Sequence, residues 1–212
     1  MSTPAKTRRR IRKIIAFIET LDAYRVGIVA NIDQLAIEYR RLELSRRIRR
    51  WKDLKKDLED IALRGLKIPK VRQLIDRDKK MEKYYKYSLV FFALAAIPPF
   101  FGITSPFVFI TLLVALTLVN VILLYRLYLH DKITYLYYVN RKTFREQSKR
   151  IKEDVEKLFA EIRREAKRAG LKTSSFPLKL YNIDYEDIEI VKKPGRLSRQ
   201  YKVIIRERSS KS

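Results

Sequence analysis

The single histidine, His130, stands directly before Asp131, and a histidine beside a carboxylate can shuttle a proton or sense pH. Its place at the end of a long apolar run favours a plainer reading, a polar residue of a membrane interface. A second acidic group, Asp184, Glu186, Asp187 and Glu189, offers the oxygen ligands that a divalent cation prefers. Alternation along a strand would send neighbouring side chains to opposite faces, so this group reads as a solvated or arginine-paired strand. There is no cysteine, which excludes disulfides, thiolate metal sites and thiol nucleophiles. The five glycines form no phosphate-cradling loop, and no serine sits in a nucleophile-elbow pattern. The sequence predicts no enzyme, no metal and no cofactor.

The abundant chemistry is cationic. Across 212 residues, 48 Lys and Arg face 24 Asp and Glu, a net charge of +24. Arg8, Arg9 and Arg10 form one cluster. Arg46, Arg47, Arg49, Arg50, Lys52, Lys55 and Lys56, interleaved with Ile48, Trp51, Leu54 and Leu58, form a second. That second stretch reads as a basic amphipathic helix with the only tryptophan on its apolar side. A third cluster is Arg196–Arg208, within which Tyr201–Arg208 reads as a basic strand. Such clusters make salt-dependent contacts with phosphate backbones, or attract anionic lipid at about 1 kcal/mol per residue held near the surface. No zinc finger, helix-turn-helix signature or RNA-recognition motif accompanies them. The partners they fit are RNA or the ribosome, DNA, and anionic lipid.

The charge is interrupted once. Residues 1–83 carry net +12 and residues 130–212 net +10, but from Tyr87 to Tyr125 there is no charged side chain. A single helix of that length would far exceed a hydrocarbon core of about 30 Å. Pro98-Pro99, Gly102 and Pro106 divide the run. Two spans are therefore expected, about Tyr84–Phe101 and Phe107–Leu129, forming a helical hairpin. Lys and Arg on both flanks place both termini in the cytoplasm. Tyr84, Tyr85 and Tyr87 before the first span, and Tyr125 and Tyr128 at the end of the second, read as an interface belt. Inside the run Thr111, Thr117 and Asn120 are the notable polar residues, serving helix packing or lining a pore. No acid or base in the spans supports an ion-coupled transporter. A basic N-terminus without an early apolar core predicts no signal peptide.

Four regions must position these groups. Residues 1–83 are a basic helical region, with Thr7 as N-cap, helix over 7–64 interrupted near Gly27 or Asn31, Gly65 as a stop, and a new helix opened by Ile68-Pro69. Residues 84–129 are the membrane hairpin. Residues 130–173 are a charged, coiled-coil-like helix with Phe144, Ile151, Val155, Leu158 and Ile162 on one seam, Ser148 in register and Gly170 as its stop. It is expected to pack on the N-terminal helices or on a second copy. Residues 174–212 form a small β-hairpin, turning at Pro194-Gly195 and leaning on a helix or partner, with a disordered tail at Ser209–Ser212. The fold class is mainly α: an integral membrane two-helix hairpin, long cytoplasmic helices and a C-terminal β element. Few Asn, Gln, Met and Cys residues against many Lys, Arg and Ile resemble a thermophile's composition.

Asp76–Lys157 resembles the two-transmembrane SLATT-type domains, which are thought to act as membrane effectors in nucleotide-signalled conflict systems. The resemblance lies in the charged helix Asp76–Tyr85, a span ending in Ala95-Ala96-Ile97-Pro98, a very short connection, a second span, and a long charged helix with an aromatic start. It implies an oligomeric pore and transfers no functional residue. The residues themselves favour a non-enzymatic two-pass membrane anchor or adaptor whose basic face holds a polyanionic partner. The alternatives are a homo-oligomeric, membrane-perturbing pore and an accessory subunit of a larger membrane complex.

Overall fold

The computed structural model describes residues 4–195 and 199–207. The chain is mainly helical and forms two compact units, Met1–Gly65 with Asn140–Ser212, and Leu66–Val139.

The first unit is built on α1 (Pro4–Arg25) and α6 (Arg145–Arg168). Ile11, Ile14, Ile18 and Leu21 on α1, and Ile151, Val155, Leu158 and Ile162 on α6, are all shut off from solvent. Spacings of three and four collect such residues on one face, so the two helices bury their stripes against each other. Contacts from Arg10 to Glu165 and from Arg25 to Ser148 set them antiparallel. The seam of α6 thus meets α1 of the same chain and is not free to set an oligomer number. Ser148, its polar member, accepts a hydrogen bond from Arg25 Nε at 2.9 Å. The helix stops as its glycine predicts. Gly170 takes φ +64°, its N–H bonds to Lys167 O, and the Leu171 N–H reaches back to Ala166 O.

Between these helices lie α2 (Ile32–Arg41), a 3-10 turn (Leu44–Arg46) and α3 (Trp51–Leu66). The helix expected over 7–64 is broken twice, after Arg25 and between Arg41 and Trp51. At the first break Gly27 adopts φ +84° and the Asn31 side chain caps α2. Thr7 lies inside α1 and is buried, and Gly65 lies inside the last turn of α3; neither ends a helix. Arg46–Lys56 is not one amphipathic helix, because α3 begins only at Trp51, whose ring packs 5.4 Å from that of Tyr39.

The sheet has three antiparallel strands, β1 (Leu178–Leu180), β2 (Ile188–Lys192) and β3 (Tyr201–Ile205), in the order β1-β3-β2. The β2–β3 pair is the expected hairpin, with an irregular step between Ile190 and Lys192. The third strand, β1, rests on α1. Glu19 accepts the Lys179 N–H, and fully buried Asp22 accepts from the backbone of Tyr181 and Asn182, the Asn182 amide and the Tyr185 hydroxyl. Arg196 and Arg208 of the third basic cluster, and the tail Ser209–Ser212, fall outside the described residues.

The second unit holds α4 (Val71–Phe100) and α5 (Pro106–Val139), which pack on each other. α4 runs unbroken from its charged first half into its apolar end. α5 continues past Leu129 to Val139, and a 3-10 turn at Arg141–Phe144 separates it from α6, so the two do not form one helix.

Here the two-span expectation is corrected. Among the described residues one helix, α5, is long and apolar enough to cross a membrane. The 30 residues of α4 include Lys86, three tyrosines and Pro98-Pro99. The part free of polar side chains, Leu89–Phe100, rises only about 18 Å, well short of a core of about 30 Å.

Candidate membrane-contact surface and basic face

Along α5 most of the large apolar side chains face outward. Phe107, Ile110, Leu113, Leu116, Val121 and Leu124 are all exposed, and within the uncharged run Ala115 alone on this helix is fully buried. An apolar surface this long is far beyond the scattered exposed leucines of an ordinary water-facing surface.

A narrower stripe faces inward. Val108, Leu112, Ala115, Val119, Ile122 and Arg126 recur at alternating spacings of four and three and are the less exposed side of α5. The matching stripe on α4 is Tyr85, Ser88, Phe92, Ala95 and Pro99. Ser88 and Ala115 are its buried points, and small residues there let two helices approach closely. Thr111 is half-buried, whereas Thr117 and Asn120 are on the outer face. All three bond to carbonyls of their own helix: Thr111 to Phe107 O, Thr117 to Leu113 O and Asn120 to Leu116 O, at 2.8–2.9 Å. Among the described residues none of the three hydrogen-bonds to α4.

At the charged end, Asp78 receives Arg126 Nε at 3.0 Å and lies 3.1 Å from His130 Nε2. Burial would raise the Asp78 carboxyl, but hydrogen bonds from Arg126 and His130 hold it below the usual carboxylate range. His130 thus meets Asp78 of the neighbouring helix. Sequence reasoning missed this cluster. Its signal was Arg126, a lone cation in an apolar run, which calls for an acid at the same level of the neighbouring helix. Arg126 also lies over the Tyr85 ring at 6.0 Å, and Tyr125 stacks on Tyr128 at 6.2 Å. Tyr84, Tyr87, Tyr125 and Tyr128 are exposed, with Tyr85 half-buried among them.

No family model, characterised protein or solved structure matches this chain.

The ten cationic residues singled out from sequence divide into two sets. Arg10 is paired with Glu165 at 2.6 Å, Arg47 with Glu161 at 3.0 Å, and Lys55 with Glu59 at 3.5 Å. Arg49 is drawn deepest. It holds Asp57 and Asp154 together, donating to Asp154 Oδ2 from Nε at 2.8 Å. Arg8, Arg9, Arg46, Arg50, Lys52 and Lys56 are exposed and make no ion pair among the described residues. These six are the cations available to a partner.

Within the paired set, Arg49 joins a largely buried network. Asp57 also receives Arg150 Nε at 3.0 Å. Burial would raise its carboxyl, yet the hydrogen bonds from Arg150 and Arg49 leave it below its ordinary value. A depressed folded-state value stabilises the fold above the unfolded value of about 3.9, and that contribution is lost as pH falls below it. Asp57→Asn is expected to cost about 1.5–3 kcal/mol at neutral pH, with the gap from wild type closing below about pH 4. Denaturant unfolding followed by Trp51 fluorescence, in the same unit, measures both.

Two of the four acids near the sheet are paired, while Glu186 and Glu189 are exposed. Asp184 is gripped by both terminal nitrogens of Arg25, and Asp187 lies 3.0 Å from Arg163. Among the described residues no set of three or more His, Asp or Glu is placed to hold a metal ion.

Proposed function

We propose that this protein is a non-enzymatic membrane adaptor. The α5 surface inserts into the bilayer and anchors the chain. The tyrosines mark the water boundary, where an apolar ring and a polar hydroxyl are both accommodated. The first unit stays in water and offers Arg8, Arg9, Arg46, Arg50, Lys52 and Lys56 to the phosphates of a nucleic acid. The observation that carries this reading is the long, uncharged and mainly apolar exposure of α5, interrupted only by Thr117 and Asn120, on a chain whose remaining surface is strongly cationic.

The test is flotation with sealed phosphatidylcholine vesicles, which carry no net charge, in the presence of a labelled RNA or DNA duplex. The protein is expected to float at both low and high salt, because insertion of apolar surface does not depend on screening. The nucleic acid is expected to float with it only at low salt. About six phosphate contacts predict a loss of about 10³-fold in affinity between 50 and 200 mM salt. Replacing the six free cations by glutamine should abolish co-flotation of the nucleic acid and leave the protein on the vesicles. A protein that stays in the dense fractions removes the anchor. A floating protein that never carries nucleic acid removes the adaptor's cargo.

A further inference from the structure

We infer that the α4–α5 pair is a wedge: it enters the bilayer from one face, passes the midplane and returns to that same face without emerging. This rests on the membrane reading above and adds the depth and direction of insertion.

The first observation is that the pair has a polar boundary at one end only. Asp78 bonds to Arg126 and His130, and Arg126 reaches over Tyr85, so the two helices run antiparallel in a known register. That register brings Tyr84, Tyr85 and Tyr87 of α4 near the level of Tyr125 and Tyr128 of α5. One belt therefore rings the pair. At the opposite end Phe100 is 89% exposed, Phe101 78% and Phe107 76%. The turn between the helices, residues 101–105, contains no Lys, Arg, Tyr or Trp. A pair that crossed would place this turn among headgroups and water, where interface anchors gather.

The second observation is depth. From Lys86, the last charge before the turn, to Phe100, α4 rises about 21 Å. One leaflet contributes about 15 Å of hydrocarbon and the full core about 30 Å. α5 alone is long enough to cross. It is bound to α4, however, and the charges of Glu82 and Lys86 cannot follow it inward. The shorter partner sets the depth.

The third observation is the backbone of the turn. α4 ends with Gly102 at φ +76°, the Gly102 N–H on Pro99 O and the Ile103 N–H on Pro98 O. That arrangement satisfies carbonyls a helix end leaves open. Across the turn, the Ser105 carbonyl accepts the Val108 and Phe109 N–H groups, and its hydroxyl oxygen also accepts from Val108. Pro106, at the first position of α5, has no N–H to leave unpaired. Hydrocarbon offers no water to such groups, so a dry tip has to satisfy them within the chain.

The absence of native cysteine makes the test direct. Full-length Thr104→Cys (the tip) and Lys79→Cys (the exposed charged half of α4) are bound to preformed phosphatidylcholine vesicles. A membrane-impermeant maleimide is then supplied either outside or trapped in the lumen. Lys79→Cys is expected to react from outside. Thr104→Cys is expected to react from neither side until detergent is added. Reaction of Thr104→Cys with the lumenal reagent means the pair crosses, and reaction from outside means the tip does not insert; either result overturns the wedge. Failure of both variants to float overturns the membrane reading instead. Thr104→Lys supplies an independent measure. A lysine carried into hydrocarbon should lower vesicle partitioning about a hundredfold, and unchanged partitioning would defeat the inference.

Discussion

Arginine at both Leu113 and Leu116 is expected to lower partitioning of the protein into neutral vesicles about 10⁴-fold. Both side chains are exposed, at 64% and 44%, in the uncharged stretch of α5. Moving one arginine to the centre of a bilayer costs about 2.5–3.5 kcal/mol on insertion scales, and each 1.4 kcal/mol is a factor of ten. Because neither leucine is buried within the chain, the double substitution should leave the helical content in detergent and the Trp51 environment unchanged. That separates loss of membrane contact from loss of fold. Glu82→Arg is the control, since it adds positive charge in the already charged part of α4. Flotation of the double variant equal to wild type would mean that the apolar face of α5 does not meet lipid.

The elements legible in the sequence are those set by local periodicity. The stripes Ile11–Leu21 and Ile151–Ile162, a helix beginning just after Ile68-Pro69, the stop at Gly170 and the pairing of β2 with β3 all follow from spacing or from a residue's own backbone preference. What was not legible depends on partners far along the chain. β1 is three residues, too short to announce itself; it exists because β3 pairs with it and because Glu19 and Asp22 accept its outer N–H groups and those just after it. Arg49 looks like any member of a basic run, and its fate is set by Asp154, more than a hundred positions away. The second span failed for a different reason. Absence of charge in Tyr87–Tyr125 is not the same as apolar length, because tyrosines, Ser88 and a proline pair shorten what α4 can bury.

Arg49→Met is expected to destabilise the first unit strongly. Arg49→Met removes the cation that Asp154 and Asp57 share. Asp57 keeps Arg150, but the side chain of Asp154 is wholly inaccessible, and the ion pair to Arg49 is what balances its charge. A buried charge stripped of its partner typically costs about 3–5 kcal/mol, and that is the expected loss in denaturant unfolding followed by Trp51 fluorescence. Replacing both partners, Arg49→Met with Asp154→Leu, should recover most of it, because no charge is then left alone in an apolar environment. The coupling energy from this cycle should exceed that of the more exposed Lys55–Glu59 pair, where about 0.3–0.5 kcal/mol is usual. The same Arg49→Met change tests the division of the basic residues. If Arg49 serves the interior, the variant should still carry nucleic acid to vesicles at low salt under conditions where it remains folded. If it loses that cargo while folded, Arg49 belongs with the six free cations, and the boundary between structural and partner-facing charge must be redrawn.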